Sequence, residues 1–291
     1  MKESLAEALK SLATIDGFGP TALADVRVMY SPTRHDYGPV AYDPSVVIIA
    51  QGRKRGRLGG RTFVYDARNY LVLALPLPFE CETIGTAKEP LLGLAVRISP
   101  PVVAELLLDL ETPADAGKLR AVDASRLTPE LEDAALRLAR ALRSPVEARI
   151  LGPQIVREIT YRALRGGQGA ALQALASPQG RFGRIARALR RIHADYARPL
   201  DVPLLAREAG MSLTSFHTHF KALTAKPPQR YLQAIRLHKA EALLAAGTPV
   251  AEAGRQVGYE SASQFSREFK RFFGLPPKEI QAGRRAGVTM F

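Results

Sequence analysis

A pattern that occurs twice in the last third of the chain constrains its fold more than any other feature. The first copy runs from Val202 through Gly210 and Ser212 to Phe216, Phe220 and Pro227; the second runs from Val250 through Gly258 and Ser261 to Phe265, Phe269 and Pro276. The first two pairs are offset by 48 residues and the rest by 49, so one residue has been added in the turn and register is otherwise kept. Each copy reads as helix, glycine-bearing turn, helix, the pattern of a helix-turn-helix whose second helix enters the DNA major groove. Ser212 and Ser261 stand where an N-cap belongs. The phenylalanines are four apart, so they share a face and point inward. The opposite face offers Thr214, Ser215, His217 and Thr218 in the first copy and Ser263, Gln264, Arg267 and Lys270 in the second. Hydroxyl, amide and guanidinium groups suit base edges, and a cation suits phosphate. With Ser212 and Ser261, these are the candidate DNA contacts.

Charge points the same way. From Arg181 onward the chain carries 19 Lys and Arg against 8 Asp and Glu, whereas residues 1–180 hold 22 against 20, so nearly all of the net +13 lies in the C-terminal part. Positive charge gathered on one region is the footprint of a polyanion, here double-stranded DNA. Between the copies, Pro228 to Ala246 reads as a helix with proline at its first position and Gly247 as its stop. Such a helix is about 28 Å long, which can set two recognition helices roughly one DNA turn apart.

From about Arg181 to Pro277 the chain resembles the DNA-binding domain of the AraC/XylS transcriptional regulators. Val257-Gly-Tyr-Glu-Ser-Ala-Ser-Gln-Phe-Ser-Arg-Glu-Phe-Lys-Arg-Phe-Phe-Gly-Leu-Pro-Pro277 is similar to the family signature, and Ala206 to Phe220 to its first unit. The resemblance implies two helix-turn-helix units joined by a long helix, and most often an activator that touches RNA polymerase. Gly254 stands where the family usually has alanine, an expected weakening of up to about 1 kcal/mol.

Upstream, residues 44 to 99 have strand character: Val46 to Ala50, Thr62 to Tyr65, Tyr70 to Leu75, Phe79 to Thr83 and Leu92 to Ile98, with Gly59-Gly60 as a turn. Short strands of this spacing predict a small barrel or sandwich. Helices follow at Val102 to Leu110, Pro129 to Leu142 and Gln154 to Leu164. Pro44 to Ser99 and Gly152 to Leu164 resemble the cupin-like N-terminal domain of one AraC subgroup, which implies an effector-sensing barrel and helices that pair two subunits. The expected class is α+β: a cupin-like β-barrel with a helical extension over 1–175, then an all-α double helix-turn-helix domain over 176–291.

A small-molecule effector would sit in the barrel. Arg34, His35, Tyr37 and Tyr42 precede the first expected strand, where the family places an arm or pocket rim, and are the candidate effector residues. Arg53, Lys54, Arg55 and Arg57 read as a solvated hairpin, with an anion contact as the alternative. Cys81 reads as a buried apolar thiol, with a redox sensor as the alternative. A lone cysteine forms no internal disulfide. The chain has no run of about twenty apolar residues and no secretory leader, which implies a cytoplasmic protein without membrane contact. Only His35 is available as an imidazole ligand in the first two thirds, and nucleotide-loop and nucleophile-elbow motifs are missing, so no metal, cofactor or enzymatic activity is expected. Two other classes stay open. A DNA-repair alkyl-transfer protein would need a reactive cysteine, and a cupin enzyme would need stoichiometric metal.

Overall fold

The computed structural model describes residues 3–110, 119–177, 180–282 and 288–290. A short helix, α1 (Leu5–Lys10), precedes nine strands: β1 (Gly17–Pro20), β2 (Val26–Ser31), β3 (His35–Tyr42), β4 (Ser45–Gln51), β5 (Arg53–Leu58), β6 (Arg61–Asp66), β7 (Asn69–Leu73), β8 (Leu77–Ile84) and β9 (Leu91–Arg97). Then come α2 (Pro100–Leu108), β10 (Val122–Arg126), α3 (Pro129–Ala141), α4 (Pro145–Arg165) and α5 (Gly169–Ala176). The last part is helical: α6 (Arg181–Asp195), α7 (Val202–Glu208), α8 (Leu213–Thr224), α9 (Pro228–Ala245), α10 (Val250–Gln256), α11 (Ala262–Phe273) and α12 (Pro277–Gln281), with a final strand β11 (Val288–Thr289).

The strands form one sheet in the order β1-β2-β9-β4-β7-β6-β5-β8-β3-β11, with β10 beside β7. Phe18 near one end of this path meets Tyr42 near the other, edge to face with ring centroids 5.4 Å apart, so the sheet curls back on itself. β4 and β9 are buried along nearly their whole length because they have the cavity on one side and α1 on the other. That double burial turns their expected alternation into continuous apolar runs.

The sheet begins earlier than the sequence reading allows. β1 to β3 all precede Pro44, and glycine and proline at Gly17, Gly19, Pro20, Gly38 and Pro39 hide their strand character. Arg34 therefore lies in the turn before β3, and His35, Tyr37 and Tyr42 lie on that strand rather than on an arm before the first one. Tyr42 is buried and cannot form a rim. The reading of Lys54 as part of a solvated hairpin fails too. On β5 the side chains alternate, so Arg53 and Arg57 face out while Lys54 turns inward and is 5% exposed. α4 starts at Pro145, capped by the Ser144 hydroxyl, and runs through Pro153 rather than starting beside it.

One apolar core runs from the sheet through α3 to α6 and into the first repeat, ending on Leu205, Phe216 and Phe220. The second repeat closes around a separate cluster that includes Leu244, Val257, Phe265, Phe269 and Ile280. α9 serves both, giving Tyr231 and Ile235 to the first core and Leu237, Ala240 and Leu244 to the second.

α9 also forms the seam with the sheet. The Tyr231 hydroxyl donates to the Pro76 carbonyl at 2.5 Å, so its oxygen accepts from His193 Nε2–H at 2.8 Å. Burial holds His193 down at about 4. One helical turn from Ile235 (α9), His238 packs edge-on against Phe272 and Phe273 at 5.4 Å from each, and burial holds it down at about 3. Both rings are thus neutral in the folded chain, whereas in the unfolded chain they titrate near 6.5. Below that pH the unfolded state binds protons that the folded state refuses, so stability is intact above about 6.5 and falls as the pH drops toward 4. The loss is up to about 1.4 kcal/mol per pH unit for each histidine. Denaturant titrations at pH 7 and pH 5 should record it, and His238→Leu should remove roughly half of the slope.

Candidate functional site

Each repeat builds the same small device. In the first, α7 leads into a turn at Gly210, with φ +64°, and in the second α10 leads into Gly258, with φ +87°. A side chain at Gly258 would place its Cβ 2.5 Å from the Ala197 carbonyl oxygen, so glycine is required there by both backbone angle and space. α8 and α11 then start on Ser212 and Ser261, whose hydroxyls each accept a backbone N–H, from Ser215 and Gln264, at 3.3 Å. Phe216, Phe220, Phe265 and Phe269 are fully buried, and burying such a ring stabilises a fold by about 1.5–3 kcal/mol. Gly254 has a packing role that the sequence reading missed. A Cβ there would lie 3.0 Å from Phe265 Cδ1, so the glycine lets α10 and α11 close on that ring.

The faces opposite the phenylalanines are open. Thr214, His217 and Thr218 are exposed on α8 with Ser215 half-buried, and Ser263, Gln264, Arg267 and Lys270 are exposed on α11. Ser212 and Ser261 are committed to capping. The Thr218 hydroxyl donates back to the Thr214 carbonyl at 3.0 Å, which leaves its oxygen to accept. Gln264 Nε2 donates to Glu268 Oε1 at 3.2 Å. Glu268 also takes the Tyr259 hydroxyl at 2.8 Å and the Gln233 amide. Burial opposes its charge, but these donors outweigh it and hold the carboxyl below its usual range. Glu268 is thus a buttress beneath the second exposed face, tying α11 to α9, and nothing in the sequence singled it out. Arg236 on α9 acts similarly at the turn, donating to the carbonyls of Tyr196, Arg198 and Gly258 at 2.7, 3.0 and 3.3 Å. Eight cation- or hydrogen-bond-bearing side chains on two capped helices can read base edges and grip phosphates.

A second site lies inside the curled sheet, a cavity of about 420 Å³. Arg34, His35 and Tyr37 line it, as their strand position requires, whereas Tyr42 lies behind it. These side chains are held by protein. Arg34 pairs with the buried Glu82 at 2.6 Å, His35 Nε2 lies 3.0 Å from the Ser31 hydroxyl, and the Arg57 guanidinium covers the Tyr37 ring at 3.7 Å. Deeper in, Lys54 Nζ donates to the Thr83 hydroxyl at 2.9 Å and lies 5.7 and 5.9 Å from the ring centroids of Phe18 and Tyr42. Burial pushes the Tyr42 hydroxyl up to about 12, and it finds no hydrogen-bond partner among the described residues. Cys81 lies beside it, its thiol 3.3 Å from the Tyr65 hydroxyl. Sequence reasoning missed Lys54, Thr83, Phe18 and Phe273, which also line the cavity or face it. Alternation along β5 was the available signal for Lys54, but four basic neighbours of like polarity left its phase unreadable. Among the described residues no three His, Cys, Asp or Glu side chains converge as a metal would require.

Comparison with known proteins agrees with both halves. Residues 22–171 match the model of the AraC-type transcriptional regulator N-terminus, and residues 205–283 match a helix-turn-helix domain. The transcriptional activator RhaS of Escherichia fergusonii is 34% identical over 94 residues, covering 32% of this chain and 34% of that protein. The transcriptional regulator AlkR of Acinetobacter baylyi is 36% identical over 111 residues, covering 38% of this chain and 35% of that protein. These alignments span only about a third of each relative's length. Among solved structures, unsaturated-fatty-acid-bound ToxT of Vibrio cholerae shares the fold over 97% of both chains, with a TM-score of 0.61 and 14% identity. An apo form of ToxT carrying a single substitution gives a TM-score of 0.62 at 11% identity over 89% of this chain and 98% of that one. With a matched regulator N-terminus that alone covers more than half of it, followed by a helix-turn-helix domain, this chain belongs to the AraC/XylS family of transcriptional regulators.

Proposed function

We propose that the chain activates transcription by placing α8 and α11 in adjacent major grooves of one DNA duplex, under the control of a small molecule bound in the curled sheet. The observation that carries this reading is the pair of serine-capped helices with matching buried phenylalanines and open polar faces. Ser215 and His217 are assigned to base readout in the first unit, and Gln264 and Arg267 in the second. Thr214, Thr218 and Ser263 flank them, and Lys270 is assigned to phosphate. The sensor part is taken as 1–175 and the DNA-binding part as 176–291. Activation rests on the name of the relative RhaS and implies contact with RNA polymerase. Two solved ToxT structures carry organic molecules, an unsaturated fatty acid and a substituted butenoic acid, which supports an effector for this chain. A DNA-bound regulator works where the chromosome is, so we assign the chain to the cytoplasm; among the described residues no helix is long and apolar enough to cross a membrane. No catalytic role is assigned to any residue.

Pairing of two copies is assigned to α4. Its outward side carries Val146, Ile150 and Leu151, which are 53%, 58% and 47% exposed. Three large apolar side chains clustered in the open on one helix mark an interaction surface. Ile150→Asp should convert a dimer to a monomer in analytical ultracentrifugation and leave the melting temperature unchanged, because so little of Ile150 is buried in its own chain.

Footprinting with purified protein across a genome tests the DNA reading, because it reports both half-sites at once. Arg267→Ala should relax base preference at one position at a cost of about 1–3 kcal/mol. An even loss across all sequences would instead make Arg267 a phosphate contact. Lys270→Ala should weaken binding uniformly and lower the slope of log affinity against log salt by about 1.

A further inference from the structure

Lys54 carries a buried charge that no carboxylate answers. Its side chain is 5% exposed, yet among the described residues no Asp or Glu forms an ion pair with it. One of its three N–H donors goes to Thr83, and the rings of Phe18 and Tyr42 supply weak electrostatic support. A buried ammonium held so incompletely is costly unless something pairs with it. The carboxylates nearby are engaged elsewhere: Glu82 holds Arg34 and Arg55, and Asp16 faces His35 across 3.8 Å. The Tyr42 hydroxyl, also buried and unpartnered, belongs to the same group.

The cavity in front of Lys54 has two characters. Thr83 and Lys54 make a polar floor, while Phe18, Met29, Val40 and Leu91 make apolar walls. Phe273, the last residue of α11, also lines it. The occupant therefore touches the end of the second recognition helix directly, with no intermediary.

Resting on the reading of this cavity as the effector pocket, we propose that it binds a monocarboxylic acid with an apolar body. The carboxylate pairs with Lys54, and the body presses on Phe273, so that occupancy is read by the second helix-turn-helix unit. A neutral ligand would leave the ammonium unpaired. A dianionic phosphate would ask for more donors than one lysine and one hydroxyl supply.

Calorimetric titration of the full-length protein with decanoate and with decan-1-ol tests the head group. Decanoate should bind at least tenfold more tightly than the alcohol. Lys54→Met should abolish that preference, and Lys54→Arg, which keeps the charge, should retain part of it; a thermal melt of each variant reports whether it folds. Equal binding of acid and alcohol would overturn the carboxylate assignment while leaving the effector pocket in place. Failure of both probes to bind would overturn the pocket reading as well. Phe273→Ala should still bind decanoate, but decanoate should no longer change protection of the second half-site in footprints. Unaltered coupling in that variant would overturn the route through α11.

Discussion

Everything in the C-terminal half depends on α9 being buried on more than one side. A helix between two DNA-reading units needs only to be long enough, and an exposed one would serve as a spacer. This one is enclosed: Tyr231, Ala234, Ile235, Leu237, His238, Ala240 and Leu244 go around most of its circumference. Its first half packs into the core shared with the sheet, and its second half into the core of the second unit. Its polar side chains are spent on geometry. Arg236 closes the end of α6 onto the second turn, and Gln233 meets Glu268 beneath α11. The relation between the two reading faces is therefore fixed by packing, and so is the relation of both to the sheet.

The seam between sheet and helices is unusually polar for something so enclosed. Pro76 has no N–H but offers a carbonyl, and Tyr231 reaches it with a hydroxyl that His193 in turn satisfies. That chain of donors is complete. His238 and Tyr42, by contrast, are enclosed without partners among the described residues. A buried polar group without a partner is tolerated only where surrounding structure or function requires it. Both lie close to the junction of the cavity with α9 and α11, where a ligand would act.

The helical half was readable because its signals are local. A serine cap, a turn glycine and a pair of phenylalanines sit within about ten residues of each other, and each is needed for reasons that do not depend on distant contacts. Repetition then confirmed the register. The sheet was read only in part. β4, β7, β8 and β9 announce themselves by β-branched and apolar residues, but β1 to β3 are rich in glycine and proline, and only pairing with β8 and β9 makes them strands. The pocket was least legible. Arg34, His35 and Tyr37 fell on it, yet Lys54 was concealed among arginines, and Phe273 comes from the far end of the chain, which only the tertiary fold brings to the sheet. Gly254 shows the limit of propensity arguments: its cost to the helix is set against the seating of Phe265.

The division of the apolar core gives the two reading units different standing. The first shares its interior with the sheet, so it moves with the sensor as one body; the second has an interior of its own and reaches the sheet chiefly through α9 and Phe273. Once the first unit has found its half-site, binding of the second is an intramolecular event whose effective concentration is set by a stiff tether. With a stiff tether the advantage is steep in spacing: half-sites at the matching separation gain strongly, and those a base pair or two away gain almost nothing. A small rotation of the second unit then changes which spacings qualify, without altering a single base contact.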